Sequence, residues 1–142
     1  MSTRFNTSDR QQVIDLLNRH FDANFVRFPT LNYRKLLWDE KNDAFVVIFG
    51  GVGGWHGIDE EFMDTLTLLS QSKSTGYIVL AEKAAVLDVF VGPLNVFVKE
   101  KDSLIRNQDG DYQFHHERHG DIVILKENSN LELELIGNVA VE

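Results

Sequence analysis

The chain has 142 residues, 43% of them hydrophobic, with two prolines and no cysteine. That is enough to bury a core without disulfides, and it excludes Cys-ligated zinc, iron–sulfur clusters and thiol nucleophiles. Twenty-two acidic against fourteen basic residues give a net charge of −8, which disfavours direct binding of duplex nucleic acid through a basic footprint.

The charge is uneven. Residues 1–38 hold six basic and three acidic residues, a net of +3, and the remainder is −11. Within 39–64 seven acids (Asp39, Glu40, Asp43, Asp59, Glu60, Glu61, Asp64) face only Lys41. No apolar run approaches the ~20 residues of a membrane helix, and residues 1–6 are polar, without a signal-peptide core. The expectation is a soluble, cytoplasmic protein with no membrane contact, folded as one globular domain over residues 1–142.

In chain order, Ser8 with Gln11 has the form of a capping box, and Val13, Leu16, Leu17 and Phe21 follow at helical spacing, predicting a helix from about Ser8 to His20. Residues 25–28 form a short extended piece stopped by Pro29. The runs 33–38 and 44–50 flank a polar connection of hairpin length. The second run is apolar on both faces and predicts a central strand. Glycines 50, 51, 53, 54 and 57 then break all periodicity around Trp55 and His56. Asp59 can cap a second helix with Phe62, Met63, Leu66 and Leu69 as its buried stripe, ended by the turn-rich 72–76.

Residues 77–81 and 86–91 predict strands. Residues 93–106 read either as another strand or as a helix opened by Pro93. The helix is the preferred reading, since Pro suits a first turn and Lys101 and Arg106 suit a last one. A turn at 107–110 leads into strands at 112–119, 122–126 and 131–136, the last alternating Leu with Glu so that one face is wet. The sum is an α+β fold: one mostly antiparallel sheet with two or three helices packed on one face.

The glycine-rich segment lacks the spacing of a dinucleotide or triphosphate loop. Asp59, Glu60 and Glu61 also occupy the positive helix end where a phosphate would sit. It reads instead as a bent loop presenting Trp55 and His56. In 115–119, alternation on a strand places His115, Glu117 and His119 on one face and His116 and Arg118 on the other. The first three, with His56 as a remote partner, are competent ligands for a divalent metal such as zinc or manganese. Glu82 and Lys83 are adjacent and so point to opposite faces of a strand, which breaks the acid-x-lysine spacing that metal-dependent nucleases of the restriction type require.

Three functions follow as expectations. The first is a non-catalytic protein, inhibitor-like or immunity-like, whose acidic surface (Asp39, Glu40, Asp43, Asp59, Glu60, Glu61, Asp64) and Trp55 engage a basic protein partner. The second is a metal-binding protein or metal-dependent hydrolase using His56, His115, Glu117 and His119. The third is a small-molecule binder with the glycine-rich loop closing an aromatic pocket.

Overall fold

A computed structural model describes residues 4–28, 33–51 and 53–141. Pro29 and Val52 lie outside the described residues. Helix α1 spans Thr7–Phe21. Its cap is Asn6 rather than Ser8: the Asn6 side chain accepts from the Asp9 amide at 2.8 Å and Asp9 accepts from the Asn6 amide at 3.1 Å. The capping box is therefore real but set two residues earlier, because Asp9 is also tied into the interior. Strands β1 (Val26–Arg27), β2 (Leu36–Asp39), β3 (Ala44–Gly51) and β4 (Trp55–Ile58) precede α2 (Glu60–Ser70), and Asp59 caps that helix through the Phe62 amide.

The chain continues with β5 (Thr75–Lys83), β6 (Val86–Pro93), α3 (Leu94–Lys99), β7 (Ile105–Arg106), β8 (Tyr112–His119), β9 (Ile122–Leu125) and β10 (Asn128–Ala140). Pro93 ends β6 and opens α3, so both readings of this stretch hold in part. The helix predicted to reach Arg106 stops at Lys99. A tight 3-10 turn over Lys101–Ser103 follows, with the Ser103 hydroxyl on the Glu100 carbonyl, and Leu104 is already extended. β10 runs longer than 131–136 because a bulge between Leu135 and Gly137 lets it bend and keep pairing with β6.

The sheet order is β1-β2-β3-β5-β6-β10-β9-β8-β4, with β7 on β8. Only β3 and β5 pair in parallel, joined by the crossover through α2. This is an α+β arrangement with a mostly antiparallel sheet, but its helices lie on two faces rather than the one expected. Val46, Ile48, Val79 and Val89 pack with Val13 and Leu17 of α1. The alternate residues Phe45, Val47, Ile78 and Leu80 pack with Phe62 and Met63 of α2 and Phe97 of α3. A strand apolar on both sides needs cover on both sides, and α1 supplies the second.

The sheet curls strongly round the larger core. Phe49 of β3 and Phe114 of β8 are far apart in strand order, yet their ring centroids stand 5.2 Å apart, edge to face. This curl brings β4 and β8 over the end of β5. Among the described residues no helix is long and apolar enough to cross a membrane.

Candidate functional site

Where β3 gives way to β4, a cavity of about 470 Å³ opens beneath the glycine-rich segment. That is within the ordinary range for small-ligand sites. Its apolar wall is Phe5, Phe49 and Trp55, and its floor includes the backbone of Gly50, Gly51 and Gly57. Glycine is required at 50, where an added Cβ would stand 2.5 Å from the Phe5 ring. Trp55 stays 57% exposed at the rim, its indole against the His115 ring with centroids 3.4 Å apart.

The polar wall is cationic. Arg4, Arg10 and Lys35 line the cavity together with His56, and among the described residues no carboxylate does. Among the described residues neither Arg10 nor Lys35 has a carboxylate within ion-pair distance. The Arg10 guanidinium lies over the Phe5 ring at 5.1 Å, and its buried Nη1 has no hydrogen-bond partner. The Lys35 ammonium sits 4.9 Å over the Phe49 ring and donates to the Gly57 carbonyl at 3.5 Å. Burial lowers the pKa of Arg10, and Arg34 adds repulsion. Burial likewise lowers that of Lys35, with Arg10 adding to the effect and Asp59 opposing it. Cations that repel one another in a half-buried space raise the free energy of the empty site, and an anion relieves it.

Behind the cationic wall lies a chain of hydrogen bonds. His56 Nε2 meets His116 Nδ1 at 2.8 Å, and His116 Nε2 meets Glu82 at 2.9 Å. Glu82 also accepts from Arg118 at 3.2 Å, and Arg118 reaches Asp88 at 2.6 Å. His56 stacks on Phe114 and meets the edge of Phe49. Burial first, then electrostatic repulsion from His116, Lys35 and His115 whenever these carry charge, pushes the His56 pKa down to about 3. At Glu82 burial works to raise the pKa, but the hydrogen bonds from His116 and Arg118 outweigh it and hold the carboxyl below its ordinary value.

A depressed histidine makes stability depend on pH. The unfolded chain takes up this proton below about pH 6.5 and the native state does not until about pH 3. His56 thus favours folding fully above pH 6.5, and its contribution is lost across the window from 6.5 to 3 at up to about 1.4 kcal/mol per pH unit. Urea unfolding at pH 7, 6, 5 and 4 is expected to show a steeper decline in wild type than in His56→Gln. Parallel declines would refute this.

The expected metal set is not brought together. His56 meets His116, from the other face of β8, and not His115 or His119. His115 is held by Glu127 at 3.0 Å, while Glu117 and His119 contact one another at 3.2 Å nearer the surface. Among the described residues no three His, Cys, Asp or Glu side chains group as a metal ion would need.

The acidic residues of 39–64 are divided between the two ends of the parallel pair. Asp39 is buried and receives the Asn42 amide, and Asp43 accepts from the Ser74 hydroxyl at 2.5 Å. Asp59 is spent as a cap and Glu60 pairs with Arg106 at 2.9 Å. Asp39 is the buried member; Glu40, Asp43, Asp59, Glu60, Glu61 and Asp64 are exposed.

The sequence did not single out Arg10 or Lys35, and it placed Glu82 only opposite Lys83 and His116 only on the face away from the candidate metal ligands. A signal existed for Arg10: it stands three residues before Val13, on the apolar stripe of α1, where a cation needs a reason. Comparison with protein-family models, with curated proteins and with solved structures finds no match for this chain.

Proposed function

We propose that the protein binds a small organic anion in the cavity beneath Gly50 and Gly57. The observation that carries this reading is the cavity wall itself: among the described residues Arg10 and Lys35 converge on it with no carboxylate in ion-pair distance of either, and a buried guanidinium nitrogen of Arg10 has no acceptor among them. Phe5, Phe49 and Trp55 add flat apolar surface suited to an aromatic or other planar body. Of the three acids at the helix start, Asp59 is directed to the α2 amides and Glu60 pairs with Arg106, and none of them lines the cavity. A basic protein partner finds less support, because the acids of 39–64, although six of the seven are exposed, lie at two ends of the fold rather than on one patch.

The rim tryptophan provides the test. In a Trp38→Phe background, Trp55 is the remaining tryptophan, and aromatic carboxylates and nucleoside monophosphates at millimolar concentration are expected to quench it and to raise the melting temperature. Arg10→Met is expected to weaken that binding at least about tenfold. Equal binding by the neutral analogues, or no anion that raises the melting temperature, would overturn the reading.

A further inference from the structure

The cationic wall ends in His56, and what that ring can offer a ligand is decided behind it. Glu82 can only accept, so the His116 Nε2 facing it carries a hydrogen. With His116 neutral, its Nδ1 accepts from His56 Nε2–H, and His56 Nδ1 is left as a bare lone pair. His56 lines the cavity, and no described residue is hydrogen-bonded to its Nδ1. A lone pair in this position repels an anion.

One added proton reverses the arrangement. It enters at His56 Nδ1, the Nε2 hydrogen of His56 passes to His116 Nδ1, and the positive charge comes to rest on His116 against Glu82. His56 remains neutral throughout, yet its Nδ1 has become a donor. This route avoids the imidazolium that burial makes costly at position 56.

Resting on the anion-binding reading above, we propose that the cavity takes a dianion together with one proton, with His56 Nδ1–H as a third donor beside Arg10 and Lys35, and with His116 and Glu82 as the positioning residues that store the charge. The charged groups around the relay are consistent with that division. Lys35 and Arg10 stand on the ligand side, and Glu82 on β5 and Asp88 on β6 stand on the far side. Arg118 bridges those two carboxylates, and His115 is paired with Glu127. Carboxylates therefore lie where the new positive charge would rest. The ligand class is a compact dianionic head such as a phosphate monoester or a sulfate, in preference to a monocarboxylate.

Sulfate is the suitable probe because its own charge does not change between pH 5 and 8. At constant ionic strength, sulfate binding is expected to tighten by about tenfold from pH 8 to pH 6. Titration calorimetry at pH 7 in buffers of different ionisation enthalpy should show uptake of about one proton. Nitrogen-15 spectra of the histidines should show His56 hydrogen moving from Nε2 to Nδ1 on binding. Glu82→Gln keeps the hydrogen-bonding shape but removes the charge store. It should abolish the uptake and flatten the pH dependence while sulfate still binds, whereas His56→Asn, which removes the donor itself, should lose the uptake together with the gain in affinity at pH 6. Sulfate that binds without proton uptake or tautomer change overturns the relay and leaves the anion pocket standing. Sulfate that does not bind overturns both.

Discussion

Replacing Lys83 with methionine is expected to remove about 3–5 kcal/mol of folding stability, read as a lower midpoint in urea with an unchanged slope. Lys83 is the last residue of β5 and is directed at α1. Its ammonium lies 2.6 Å from Asp9 and 2.7 Å from the Arg4 carbonyl, with both paired side chains almost wholly buried. Removing only the cation leaves the Asp9 carboxylate unpaired inside the protein, with Oδ1 already lacking a partner. The cost is that of an uncompensated buried charge rather than of the attraction itself. The double variant Asp9→Asn, Lys83→Met should therefore recover most of the loss, because asparagine can still accept from the Asn6 amide. A single variant that loses less than about 1 kcal/mol would show the site relaxing to admit water. The same lysine fixes the carbonyl of Arg4, so its loss should also loosen Phe5 over Gly50 and weaken anion binding.

Truncating Phe114 to alanine is expected to cost about 3–5 kcal/mol. The ring is fully buried, with Phe49 and Phe97 each 5.2 Å away by ring centroid and His56 stacked on it at the same spacing. It joins the two arms of the curled sheet, so the cavity it leaves cannot collapse without moving β3 or β8. Its loss should also free the His56 ring, seen as averaging of the His56 and His116 nitrogen resonances. A loss below about 1.5 kcal/mol with both resonances unchanged would show that the curl does not depend on this cluster.

Local pattern carried much of the fold. The double-sided apolarity of 44–49 marked a central strand, Asp59 was the right cap, and the opposition of Glu82 and Lys83 was visible from adjacency alone. Lys83 faces α1 and Glu82 faces His116 and Arg118. Alternation also sorted residues 115–119 onto the correct faces. What it could not give was which face mattered. Choosing His115, Glu117 and His119 favoured the side with more ligand atoms, whereas the curl of the sheet brings the opposite side, His116, to both His56 and Glu82. The cationic wall was equally hidden. Arg4, Arg10 and Lys35 registered only as a mildly basic N-terminal stretch, because their convergence depends on α1 crossing the face of the sheet that had been left uncovered. His56 was recognised as the remote contributor, but its partner was one residue away from the one expected.

Lys35, His56, Glu82 and His116 are drawn from segments separated by up to eighty-one positions along the chain, and they meet only because the curled sheet carries β8 and β4 back over β5. The cavity wall itself is drawn from residues 4–57, and the relay behind it is completed by Glu82 and His116. Proton-linked capture of an anion thus becomes a report that the sheet has closed on itself.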